Sequence, residues 1–135
     1  MYKKYRLLCL VLTFFLLLRL FPIVNATNDI EPRYSTLQTF AYSFNIDSNG
    51  NAKGTASIEA RPQYLLKLTV KLQRYQNGSW VLVDSWTSTG SIVVALLIET
   101  KVDRGYAYRI VVDGYAFDSN HTLLEQDNGV RSAYY

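Results

Sequence analysis

The chain has 135 residues, 49% of them hydrophobic and 14% aromatic, with 14 Lys and Arg against 11 Asp and Glu, one His and one Cys. A single cysteine excludes a disulfide framework and a cysteine-held metal within the chain, and a single histidine excludes a two-histidine metal site. The basic excess suggests an anionic partner until its distribution along the chain is read.

That distribution is uneven. Lys3, Lys4 and Arg6 form a basic head, "LLCLVLTFFLLL" over 7–18 is an unbroken apolar run, and Val24 and Ala26 put small residues at the minus-three and minus-one positions of a cut. The pattern predicts a secretory signal peptide over 1–26, helical in transit, and hence a secreted or cell-surface protein with no membrane contact after cleavage. The alternative is a signal anchor extended to Val24. Arg19 and Pro22 oppose it, because a span needs about 20 mostly apolar residues and an internal charge costs about 2.5–3.5 kcal/mol. Cys9 lies in the leader, so the exported chain is expected to be disulfide-free. Four of the 14 basic residues also lie there, while all 11 acidic ones follow, leaving ten basic against eleven acidic. Such a near-neutral, interspersed surface gives no footprint for nucleic acid.

"TNDIEPRYS", 27–35, reads as an extended lead-in kept out of helix by Pro32, and residues 36–135 as one domain. In "TLQTFAYSFNID" Phe40, Tyr42, Phe44 and Ile46 alternate with small or polar residues, the period of a strand. "DSNGN" supplies turn residues, and "AKGTASIEAR" returns with Ala52, Gly54, Ala56, Ile58 and Ala60 on one face, leaving room for bulky side chains opposite. "YLLKLTVKLQRY" puts Leu66, Leu68, Val70 and Leu72 inward and Lys67, Thr69, Lys71 and Gln73 outward. Asn77-Gly78 reverses it into "SWVLVDSW", and "TSTGS" follows. "IVVALLIETKV" is apolar on both parities and reads as a strand covered on both sides, or as a short helix. "YAYRIVVDGYAF" alternates again, and after "DSNHT" the tail supplies a last strand or hairpin. About seven strands joined by turns predict an all-β, two-sheet antiparallel sandwich.

"VDRGYAYRIVV" carries Val102, Gly105, Tyr108, Ile110 and Val112 at a spacing that resembles the tyrosine corner of fibronectin type III and immunoglobulin-like domains. The resemblance implies a structural role for Tyr108 and Gly105. There is no cysteine pair and no tryptophan on the second or third strand. Over nearly the whole exported chain, "LQTFAYSFNIDSNGNAKGTASI", "LTVKLQRYQNGSWVLVDSW" and "VDRGYAYRIVV" together resemble a group of small exported β-sandwich proteins of Gram-positive bacteria. That resemblance implies a bacterial envelope or extracellular setting and transfers no functional residue.

Chemistry is sparse. His121 has no second histidine to work with, the carboxylates are dispersed, and "DSNGN" lacks the spacing and terminal glutamate of a calcium loop. No metal, cofactor or catalytic residue is expected. Asn77 and Asn120 both begin glycosylation acceptor triplets, which the bacterial resemblance makes chance matches. The aromatics remain. A type I′ turn at Asn77 and Gly78 sets Tyr75 opposite Trp80, Lys71 opposite Asp84 and Thr69 opposite Trp86, all facing outward. A three-residue turn with a bulge at Gly78 turns Trp80, Asp84 and Trp86 inward. Burying Asp84 unpaired costs several kcal/mol, so the outward register is the expectation. Its sharpest consequence is an aromatic platform of Tyr75, Trp80 and Trp86 for a cell-wall glycan or surface protein, although a cross-strand pair also stabilises a hairpin without any ligand. The expected function is a non-catalytic binding or surface-interaction module. The alternatives are a structural envelope protein assembled through strand edges and, further off, a small hydrolase.

Overall fold

A computed structural model describes residues 36–135; the expected leader and lead-in lie outside the described residues. Every regular element described is a strand: β1 (Leu37–Ile46), β2 (Asn51–Ala60), β3 (Leu65–Gln76), β4 (Ser79–Ser91), β5 (Val93–Lys101), β6 (Ala107–Phe117) and β7 (Leu123–Tyr134). They form a three-stranded sheet in the order β1-β2-β5 and a four-stranded sheet in the order β4-β3-β6-β7, with all pairings antiparallel. The two sheets pack face to face, with β1 against β7 along one flank and β5 beside β4 along the other.

The core follows from the alternation. Leu66, Leu68, Val70 and Leu72 of β3 and Tyr108, Ile110, Val112 and Ala116 of β6 are buried against Ala52, Ala56, Ile58 and Ala60 of β2 and Val94 and Ile98 of β5. Each large aliphatic side chain so buried contributes about 1.5–3 kcal/mol, which is how a disulfide-free sandwich holds together. The small residues of β2 serve the fit. A Cβ on Gly54 would stand 2.8 Å from Ile98, and one on Gly129 of β7 would collide with the ring of Tyr42. Ile98 of β5 and the bulky row of β1 therefore pack into space that glycine leaves.

One strand expectation is corrected, and two stretches read loosely in the sequence are now placed. "TSTGS" completes β4, which runs to Ser91. "IVVALLIETKV" is covered on one face only, because a two-layer sandwich leaves the outer face of each sheet uncovered: Val94 and Ile98 are buried while Val93 and Leu97 are exposed, Leu97 by 80%. Of the two readings of the tail, the last strand is the one that forms: β7, paired along β6.

The main correction concerns the β3–β4 register. Asn77 (φ 54°) and Gly78 (φ 79°) form the two-residue turn, Gln76 faces Ser79, and Tyr75 faces Trp80. After Gln73 has paired with Leu82, the register shifts, Val83 is passed over, and Leu72 faces Asp84. Lys71 thus faces Ser85, and Val70 faces Trp86. A bulge re-aims every side chain beyond it by one position. Trp80 stays outward, whereas Trp86 turns inward and packs its ring against the core. The desolvation penalty that argued against this never arises, since β4 is an edge and Asp84 remains exposed, its Oδ1 accepting from the Ser85 amide at 2.7 Å.

Candidate functional site

Outward residues of the four-stranded sheet converge near the β3–β4 turn. The type I′ twist matches that of the flanking strands and lays Tyr75 and Trp80 side by side, ring centroids 5.2 Å apart and planes inclined at 57°. From β6, on the far side of β3, Arg109 reaches back across Gln73, its direct neighbour in the ladder. Its Nε donates to Gln73 Oε1 at 2.7 Å, and the guanidinium carbon lies 4.3 Å from the centre of the Trp80 ring. Stacking and the Gln73 bond fix the guanidinium, and an exposed cation–aromatic contact adds about 0.5–1 kcal/mol. Among the described residues its two Nη groups meet no acceptor. The cluster thus offers a held pair of donors beside a ring and the exposed side chains of Tyr75 and Leu82.

Of the expected platform, the structure brings Tyr75 and Trp80 together and removes Trp86 to the inner side. Arg109 and Gln73 complete the cluster instead. The alternation of "YAYRIVV" puts Arg109 outward, but its place beside Gln73 depends on a pairing between strands far apart in sequence. Elsewhere on this face Lys71 bridges Asp113 at 3.1 Å, Thr69 and Thr87 hydroxyls bond at 3.1 Å, and Tyr115 stacks on Phe117 with Lys67 5.9 Å from the Tyr115 ring centre. The face reads as aromatic and cationic at both ends with a paired polar middle.

The remaining singled-out residues have local structural roles. Tyr108 is buried, and its hydroxyl donates to the Asp103 carbonyl and accepts from the Asp103 amide, both at 3.1 Å. Gly105 lies between them at φ 90°, where any Cβ is strained although space is open. Asp47 and Asp118 build the same turn twice. Asp47 Oδ1 accepts from the amides of Asn49 and Asn51, and Asp118 Oδ1 from those of Asn120 and Thr122. The bonds hold both carboxyls below the ordinary Asp range, chiefly through the Asn51 side chain for Asp47 and the Thr122 amide for Asp118. "DSNGN" is therefore a self-satisfied turn. His121 occupies the position equivalent to Gly50, at φ 63°, and lines an open cleft of about 470 Å³ with Leu65 and Phe117. Among the described residues no three His, Cys, Asp or Glu side chains converge to hold a metal ion.

No known protein family matches the sequence, and no curated protein matches it significantly.

Proposed function

We propose that the protein is an exported, non-catalytic binding module whose outer four-stranded face takes a ligand carrying an acidic group beside an apolar ring face, the chemistry of an anionic cell-wall glycan. One observation carries this reading: the Arg109 guanidinium is stacked on Trp80 and tethered by Gln73, yet both Nη groups meet no acceptor among the described residues. A fork held flat in advance gains a carboxylate or phosphate at small entropic cost, and Tyr75 and Leu82 supply apolar contact beside it. Export rests on the leader pattern in the sequence. The strand order and the Tyr108–Asp103 bonds support reading the domain as immunoglobulin or fibronectin III-like, in keeping with the resemblance to exported Gram-positive proteins.

The test is retention of the protein on acidic and on neutral cell-wall polymers, compared with Trp80→Ala, Arg109→Lys and Gln73→Ala. Preferential binding to the acidic polymer that is lost in the Trp80 and Arg109 variants, with circular dichroism unchanged, supports the reading. Equal retention of all variants refutes it. Lysine keeps the charge and loses the bidentate geometry, so Arg109→Lys separates a recognition fork from a general attraction.

A further inference from the structure

The two flanks of the sandwich are finished differently. Along the β1/β7 flank, β7 turns charged side chains toward β1: Glu125 accepts from the amides of Thr36 at 2.6 Å and Leu37 at 3.1 Å, and Arg131 lies 5.2 Å from the Tyr42 ring centre. The register of β1 is also broken near Leu37. Charges and bulges of this kind prevent a strand edge from recruiting another strand. On the opposite flank, β4 has its bulge at Val83. β5 has no bulge, and its only charged residues, Glu99 and Lys101, are confined to its C-terminal end. Its pairing with β2 is continuous from Val93 to Asn51's partner Lys101, its other edge pairs with no strand among the described residues, and Val93 and Leu97 project outward 54% and 80% exposed. An edge of unbroken register with apolar side chains over most of its length is the kind that pairs with another strand.

We infer that β5 is a self-pairing edge: two copies of the chain join β5 to β5, antiparallel, about a two-fold axis at Leu97, making one continuous sheet from two three-stranded ones. The outward row selects this occupant and this register. An axis at Leu97 overlaps all nine residues of β5, sets Leu97 against Leu97 of the partner subunit, Ala95 against Glu99 of the partner subunit and Val93 against Lys101 of the partner subunit. No like charges then meet, and the stems of Glu99 and Lys101 cover apolar side chains. An axis at Glu99 or at Lys101 would oppose like charges across the dyad and shorten the overlap. Self-complementarity about a two-fold is what an isologous dimer requires, and it leaves Trp80 and Arg109 on the other sheet.

Sedimentation of the full chain over a range of concentrations, with wild type, Leu97→Lys and Ala95→Lys, tests the dimer. Cross-linking of Leu97→Cys in a Cys9→Ser background tests the register, with Thr55→Cys on the outer face of β2 as control. The inference expects a reversible dimer lost in both lysine variants without change in circular dichroism, and a disulfide dimer that forms readily at Leu97 and not at Thr55. A monomer at all concentrations, open-ended aggregates, association only with a different protein, or a dimer that survives both lysines would each overturn it. If one lysine variant fails to fold, the other and the cysteine variant still decide.

Discussion

The hydroxyl of Tyr108 serves both backbone groups of Asp103, donating to the carbonyl and accepting from the amide at 3.1 Å each. One buried side chain thereby fixes the loop that carries the chain from β5 in one sheet to β6 in the other. Tyr108→Phe keeps the packed ring and removes both bonds, leaving the Asp103 groups to find water at a partly buried corner. We expect a loss of about 1–3 kcal/mol in urea unfolding with the strand content retained. An unchanged midpoint would show that the corner is held by packing alone.

The bulge at Val83 divides the tryptophans, and their substitutions should differ accordingly. Trp86→Ala empties a half-buried site against the core and is expected to cost about 2–4 kcal/mol, somewhat below the range for full burial. Trp80→Ala forfeits a cross-strand pair and a cation contact, worth about 1–2 kcal/mol together. In single-tryptophan variants iodide should quench Trp80 more strongly than Trp86. Deleting Val83 removes the bulge but leaves Leu82 opposite Gln73 and Trp86 opposite Val70, so Trp86 should keep its inward position and its lower quenching.

At the two aspartate turns, His121 and Gly50 share a left-handed backbone conformation that suits glycine. His121→Gly relieves strain of about 1–2 kcal/mol and gives part of it back as chain entropy, so a gain of about 0.5–1 kcal/mol is expected in thermal or urea unfolding. Gly50→Ala goes the other way by about 1–2 kcal/mol from φ alone. It also brings its Cβ to 2.7 Å from the Tyr135 ring.

Both turn carboxyls are held below their ordinary value, so their folded pKa lies beneath the unfolded one. Their contribution is complete above the unfolded Asp pKa of about 3.9 and disappears as the pH falls through the folded value. Unfolding midpoints followed from pH 5 down to pH 2 should fall less steeply in Asp47→Asn and Asp118→Asn than in wild type. A slope unaltered in both would assign acid sensitivity to other groups.

Much of this fold was legible because the alternation was clean. In β2, β3 and β6 the apolar residues at every second position are those that become core, and Asn77-Gly78 announced the turn. The failures share a cause. "IVVALLIETKV" was read as doubly covered because Leu97 and Val93 are apolar, but the number of layers that cover a strand is decided by long-range packing. The same holds for Asp84, whose desolvation argument presumed a position inside the sheet. A bulge has no residue signature at Val83, and the Arg109–Gln73 neighbourhood exists only once β3 and β6 are aligned. Only half of the site, Tyr75 and Trp80, lay within reach of local rules.

The single passed-over residue at Val83 also separates two duties along one hairpin. Below it, the ladder is tied to the core through Trp86; above it, the segment from Arg74 to Leu82 meets solvent on its outer side and closes on its own tight turn. The turn residues of that upper half can be exchanged at little cost to what lies beneath, whereas Arg74 at its base is tied to Asp103 and Tyr106. The tip is therefore a natural place to graft a foreign loop or recast specificity, with the lower half serving as a fixed handle.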